Sequence, residues 1–402
     1  MRASLLPKVP VLSRMPQGLI LLACIGLIAL NMRGPFVAVA PVVGAMQREL
    51  GFSAVELGLL TGIPVLCFSL ASPLASFAAR RFGAEFAITL TLLGVLAGVV
   101  LRSAGSGVLV LAGTAIIGIA ITIGNIAVPL IIRRDFSPRR QSSAMGIYTA
   151  ALNIGSFLTS VVTAPIAEAV GWRFALAATG LFAVAAVVFW VLAVGMGDAF
   201  RPRLADAGVR LPATGRPASR WITAGLTLGF AGQAFSYYGV TAWLPTLLAD
   251  ELGMAPSAAG AGSSLFQILA IVGGLGVPLA ARIANTTAVA VTLGLLWLAV
   301  PLGLLLAPEL WWLWCSLGGI AQGGGITIIF IAIIRLARDQ ASAGRMSAVV
   351  QGTGYCFAAV APTLLGYMHG ITESWTGPLL MILGSVLAFF LGTTLSVRKA
   401  PK

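Results

Sequence analysis

Long uninterrupted apolar runs, each closed by a short polar break, recur along the chain: 17–46, 54–79, 85–104, 107–132, 142–167, 174–196, 220–248, 257–281, 287–307, 310–334, 346–368 and 377–397. About 20 residues of helix cross the hydrocarbon core of a bilayer, so each run is long enough to span. The runs are continuously apolar rather than alternating, which excludes barrel strands, and an open sheet would leave its backbone unpaired in lipid. An all-α membrane protein with twelve transmembrane helices is therefore expected. Glycines and prolines inside the runs predict close helix packing and broken helices around a cavity. The first run is too long for a signal peptide and lacks a small-residue cleavage site, so it reads as a span.

The longest polar stretch, "GDAFRPRLADAGVRLPATGRPASR" at 197–220, is rich in Arg, Pro, Ala and Gly. It reads as a flexible linker between six-helix halves, giving bundles at 1–196 and 220–402 with a linker at 197–219. The halves also share landmarks. "ELGFS" at 49–53 returns as "ELGMA" at 251–255, a spacing of 202 that also carries Arg80 onto Arg282 and Arg133 onto Arg335. Three landmarks in one register indicate a duplicated unit in parallel repeat, related by a pseudo-twofold axis.

Composition agrees, because 58% apolar and 9% charged residues cannot cover the surfaces of soluble domains of this length. The charge that remains is distributed by side. If the N-terminus is cytoplasmic, 21 of the 25 basic residues face the cytoplasm, Arg48, Arg102 and Arg173 face outward, and Arg33 lies between. That asymmetry places both termini in the cytoplasm of an inner-membrane protein. It also accounts for the net charge of +13 without any nucleic acid.

Arg33 sits in "LNMRGPF", about 17 residues or roughly 25 Å of helix beyond Pro16, too deep to snorkel comfortably to the inner face. An arginine at the bilayer centre costs about 2.5–3.5 kcal/mol on insertion scales. No carboxylate is expected at that depth: Glu56 falls near the outer end of the second run, Glu85 at the inner end of the third, and the other acids in loops. Arg33 could bind carbonyls freed at Gly34-Pro35, since Pro35 cannot donate to the carbonyl of Asn31. Alternatively, an uncompensated guanidinium in a wet cavity attracts an anion, offering it a planar fork. The substrate expected on that reading is a small anion. Cys24, Cys67, Cys315 and Cys356 have no metal-ligand spacing, and His369 is an isolated interfacial residue, so neither a metal site nor a cofactor is expected.

Across its whole length the chain resembles the major facilitator superfamily. Within it, "LNMRGPF", "VPLIIRRDF" at 128–136, "AMGIYTAALNIG" at 144–155 and "TAWLPTLLADELGMAPSAAG" at 241–260 resemble the bacterial cyanate and nitroimidazole transporter group. The resemblance implies two six-helix bundles about a central path. Helices 1, 4, 7 and 10 would lie nearest that path and 2, 5, 8 and 11 beside it. The mid-depth polar and aromatic residues of those helices are then Asn31, Arg33, Asn125, Tyr148, Asn153, Gln233, Tyr237, Tyr238, Gln267, Gln322, Gln351 and Tyr355. For each uncharged member, interhelical bonding and substrate contact are equally open. One departure concerns the loop after the second helix, usually G-x-x-x-D-R-x-G-R-R. Here Ser76, Arg80, Arg81, Phe82, Gly83, Ala84 and Glu85 occupy it, and the acid of its salt-bridge latch is missing.

The expected protein is a monomeric secondary transporter, not an enzyme, whose partners are a small solute and the lipid bilayer. It would move a cyanate-like anion, a small carboxylate or a compact nitro-aromatic by alternating access. A multidrug or metabolite exporter is the alternative within the same fold, and a non-transporting receptor the alternative outside it. With Arg33 permanently protonated, no protein carboxylate is expected to carry a coupled proton through the centre; Glu56 and His369 are the counter-candidates. The topology has its own test. Single cysteines at Ser219 and Ser374 in a cysteine-free background should differ in intact cells, with only position 374 reacting with an impermeant thiol reagent. Reversed labelling would overturn the orientation.

Overall fold

The computed structural model describes residues 17–202, 220–337 and 340–398. Most of the expected linker, at 203–219, lies outside the described residues. The helices of the first half are α1 (Gln17–Val37), α2 (Val43–Leu50), α3 (Ala54–Leu70), α4 (Ser72–Phe82), α5 (Ala84–Ala104), α6 (Gly107–Asp135), α7 (Pro138–Val170), α8 (Trp172–Ala178), α9 (Gly180–Val194) and α10 (Met196–Phe200). The second half has α11 (Arg220–Leu252), α12 (Pro256–Ile268), α13 (Ala270–Ile283), α14 (Thr286–Leu306), α15 (Trp311–Leu336), α16 (Gln340–Thr372) and α17 (Thr376–Val397). No strand occurs among the described residues.

Ten helical segments are long and apolar enough to cross a membrane, and α3 with α4 makes an eleventh, bent by 58°. The bend follows from Pro73 in the first turn of α4, which cannot continue the α3 hydrogen-bond ladder. The twelfth membrane-length helix is the 33-residue α11. Its apolar character is diluted by Gln233, Ser236, Tyr237, Tyr238 and Thr241, all buried inside the protein. Polar side chains facing a protein interior are tolerated where lipid-facing ones are not. The spans form two six-helix bundles. One apolar core, including Ile28, Leu92, Ile121 and Trp190, comes wholly from the first half of the chain, while the other joins the last six spans to Phe36, Leu57 and Leu60.

The internal repeat is visible in the backbone. Gly51 and Gly253, the glycines of the two "ELG" motifs, end their helices in the left-handed region at φ 67° and 62°. That conformation suits glycine because a Cβ would clash with the following carbonyl.

The side opposite the termini is closed by close backbone approach. A methyl group on Gly58 of α3 would stand 2.4 Å from Cα of Thr363 on α16, and one on Gly62 would stand 2.6 Å from the carbonyl oxygen of Ala359. Across the other seam, the Glu168 carboxylate at the end of α7 accepts the Ser257 backbone N–H at the start of α12, at 3.0 Å.

Glu85, the last of the loop residues named above, lies in the first turn of α5 and pairs with Arg134 at 2.8 Å. Arg102, inside the third expected span and counted to the outer side, is 1% exposed in the last turn of α5. The packing of α6 explains why, since a methyl on Gly113 would lie 2.7 Å from the backbone nitrogen of Arg102. The arginine side chain runs inward instead and donates to the Pro35 carbonyl at 2.7 Å.

Candidate functional site

The centre of the molecule is built at a break in α1. Pro35 removes one helical donor and Ala38 donates to Gly34 at 3.0 Å, after which the chain passes into a 3-10 turn, Ala40–Val42, containing Pro41. Arg33 therefore lies near the end of a half-helix. Its side chain is half-buried, donates to the Tyr237 hydroxyl, and places its guanidinium carbon 5.1 Å from the centre of the Tyr237 ring. The carbonyl at the break that does accept a guanidinium is taken by Arg102.

Four of the five tyrosines surround this charge. Tyr148, Tyr238 and Tyr355 lie within electrostatic reach of Arg33, together with Tyr237. Tyr237 and Tyr238 meet edge-on at 4.8 Å, and Tyr355 stands 6.4 Å from Tyr238. Their positions come from three spans: α7 carries Tyr148, α11 the adjacent pair, and α16 Tyr355. Phenylalanines fix the rings. Phe36 packs edge-on to Tyr238 at 5.5 Å, Phe68 to Tyr355 at 5.7 Å, and Phe230 to Tyr355 at 5.1 Å. Phe68 of the first bundle resting on Tyr355 of the second makes this an inter-bundle site.

Electrostatics at the centre are one-signed. Among the described residues Arg33 has no ion pair; Glu85–Arg134, Glu49–Arg173 and Asp250–His369 pair near the helix ends. A cation–π contact contributes about 0.5–2 kcal/mol, which falls short of the roughly 2.5–3.5 kcal/mol insertion cost. The site thus retains unneutralised positive charge, faced by hydroxyl groups that can donate to an anion. A hydrogen-bond chain leads from it: the Tyr237 hydroxyl lies 3.4 Å from Gln267 Oε1, and Gln267 Nε2 donates to Thr241 Oγ1 at 3.2 Å. Thr241 and Gln267, with Ser160 and Ser263, line a small cavity of about 10 Å³ between the bundles. That is room for about one water.

The remaining expected site residues divide by what they touch. The Tyr148 hydroxyl donates to Asn125 Oδ1 at 3.2 Å, so these two act as a unit. Gln233 is engaged within its own bundle: it donates to the Gln322 carbonyl at 2.8 Å and accepts from Trp297 Nε1 at 2.6 Å. Gln322 in turn donates to the Phe266 carbonyl at 3.2 Å. Asn153 and Gln351 bond along their own helices, to the Thr149 carbonyl at 3.0 Å and Ser347 Oγ at 2.7 Å. Asn31 is 0% exposed with neither amide atom bonded among the described residues. The sequence reading omitted Phe36, Phe68 and Phe230, whose apolar side chains carry no signal among so many others. Thr241, four residues beyond Tyr237, was within reach of the same helix-face spacing that paired Gln233 with Tyr237.

Residues 19–362 match the Major Facilitator Superfamily. The chain belongs to that superfamily. The 2-nitroimidazole transporter of Escherichia coli K12 is 30% identical over 92% of this chain and 94% of its own length. The cyanate transport protein CynX of the same organism is 26% identical over 87% of this chain and 90% of its own. A solved structure of a bacterial homolog to the human lysosomal transporter Spinster, inward-facing and unoccupied, shares the fold with a TM-score of 0.69 at 15% identity, covering 96% of this chain and 98% of that one. This major facilitator is thus a multi-pass membrane transporter, with its unpaired arginine between the bundles.

The division of roles gives a prediction. Gln233→Leu leaves the Trp297 N–H unpaired in a buried setting, a penalty of about 1–3 kcal/mol, while the Gln322 carbonyl keeps its bond within α15. Its unliganded thermal midpoint should fall by several degrees, while the affinity of the folded fraction for ligand stays within about twofold of wild type. An unchanged midpoint with lost affinity would assign Gln233 to the substrate instead.

Proposed function

We propose that this protein is a secondary transporter of the inner membrane that moves a small anion, cyanate-like or a small carboxylate, or a compact nitro-aromatic. The single observation that supports this is Arg33: half-buried, without a counter-ion among the described residues, and surrounded by tyrosines from both bundles. A planar guanidinium binds two oxygens, or an oxygen and a nitrogen, side by side. Nitro and carboxylate groups present such a pair. Cyanate is linear and offers charge at both ends. The surrounding rings supply flat apolar walls suited to a nitro-aromatic. Relatives described as carrying 2-nitroimidazole and cyanate fit the same chemistry.

Alternating access follows from the site lying between the bundles. Substrate neutralises Arg33 and bridges Tyr237 on one side to Tyr148 with Asn125 on the other, and the bundles rock about it. No protein carboxylate is assigned a proton-carrying role. Glu56 is engaged in a capping box with Ser53, and His369 is stacked on Trp375 at 4.0 Å, with Nε2 3.7 Å from Asp250. The protein then facilitates diffusion, exchanges substrates, or moves a proton only on the substrate itself.

Purified protein should be stabilised by cyanate, nitrite, acetate or 2-nitroimidazole, since a ligand that binds only the folded state raises its stability by mass action. Arg33→Ala and Arg33→Lys should both insert and fold yet lose affinity ~10- to 100-fold, the scale of one or two charge-assisted hydrogen bonds. Unchanged affinity in a folded Arg33→Ala protein would make the arginine structural. Broad stabilisation by large hydrophobic cations, insensitive to Arg33, would favour the exporter reading. Uptake into proteoliposomes separates transport from mere binding. With an imposed pH gradient, accumulation lost in Glu56→Gln or His369→Gln while exchange survives would show that a side chain carries the proton.

A further inference from the structure

Arg102 is the second arginine held inside the protein, and nothing in the transport scheme above uses it. Its side chain makes one hydrogen bond among the described residues, from a terminal nitrogen to the Pro35 carbonyl at 2.7 Å, while Nε and the other terminal nitrogen are buried and unbonded. A buried guanidinium with two idle nitrogens is unfavourable by itself, so its placement calls for a compensating role. The carbonyl it reaches supplies one. Pro35 lies at the broken end of α1, where Val39, the residue that would donate to it in a continuing helix, instead opens the turn that Val42 closes by donating to Val39 at 3.0 Å. Freed carbonyls at a helix C-terminus carry partial negative charge, and a cation there is favourable. Gly113 of α6 lets the main chain at Arg102 sit close against α6, since a methyl there would lie 2.7 Å from the Arg102 backbone nitrogen and 2.9 Å from its Cβ.

We propose that Arg102 is a positioning residue for the substrate site: by capping the Pro35 carbonyl it fixes the end of the α1 half-helix, and with it the depth and rotation of Arg33, two residues earlier. The proposal rests on Arg33 being the substrate-binding charge. It also explains why two interior arginines are present with no carboxylate between them among the described residues. One faces the tyrosines and is completed by substrate, while the other faces the backbone that carries the first. The two positions differ in what a lysine can replace. Arg33 is assigned a fork, whereas Arg102 uses one nitrogen and a charge, which lysine also has.

The test uses the full-length protein as wild type, Arg102→Met, Arg102→Lys and Arg33→Ala, with two readouts: amide hydrogen exchange across residues 36–43, and equilibrium binding of cyanate. Folded Arg102→Met should exchange the Ala38 and Val39 amides faster by ~10-fold or more and bind cyanate at least ~10-fold more weakly. Arg102→Lys should return both toward wild type. Unchanged exchange in folded Arg102→Met would overturn the proposal, as would faster exchange with full cyanate affinity. If the methionine variant does not fold, the lysine variant decides: retained protection and binding support the proposal, and loss of either overturns it. If Arg33→Ala binds cyanate like wild type, the reading of Arg33 fails instead. The exchange measurement then judges on its own whether Arg102 holds the end of α1: unchanged exchange overturns the cap, and faster exchange restored by lysine supports it.

Discussion

A permanent charge in the middle of a membrane protein, with no opposite charge at the same depth among the described residues, is the constraint on which this structure turns. Insertion of an arginine there costs about 2.5–3.5 kcal/mol, and the aromatic contact to Tyr237 offsets only part of it. The protein supplies tyrosine hydroxyls rather than carboxylates around Arg33. A carboxylate would have neutralised the charge in every conformation. Hydroxyls stabilise it enough to fold, and in the proposed function a ligand supplies the larger share of the neutralisation.

Holding that charge at one depth requires breaking a helix in a place where backbone groups cannot be left to solvent. Pro35 and Pro41 make the break, and the Arg102 guanidinium covers the carbonyl that results. Arg102 reaches it because Gly113 and Gly98 let α5 and α6 approach: a methyl on Gly98 would stand 2.7 Å from the Gly113 carbonyl oxygen. On the closed side, Gly58 and Gly62 do the same for α3 and α16. Small residues set the backbone distances, and those distances decide which polar side chains can meet.

The spans, the duplication and Arg33 were legible in the sequence because each departs from its background: apolar runs from polar breaks, a repeated "ELG", one charge within an apolar run. Gly51 and Gly253 show how literal the repeat is, ending equivalent helices with the same left-handed turn. Arg102 was counted only by the side of the membrane on which it falls, whereas the direction of its side chain depends on the packing of α6 against α5. The loop keeps its departure from the usual motif, and Glu85 at the start of α5 pairs with Arg134 from another helix. Gln233 and Tyr237 share a helix face four residues apart, yet the glutamine bonds to Gln322 and Trp297 while the tyrosine bonds to Arg33. Spacing along one helix gives a face; which neighbour fills it is a property of the whole bundle.

The central claim is that an anion completes Arg33. Crystals grown with selenocyanate, a linear anion with a strongly scattering atom, would locate that anion by its anomalous signal. The account predicts a selenium peak between the Arg33 guanidinium and the Tyr148, Tyr238 and Tyr355 rings. An ordered selenocyanate elsewhere in the protein, with the Arg33 guanidinium still bonded to Tyr237 and no density beside it, would contradict it.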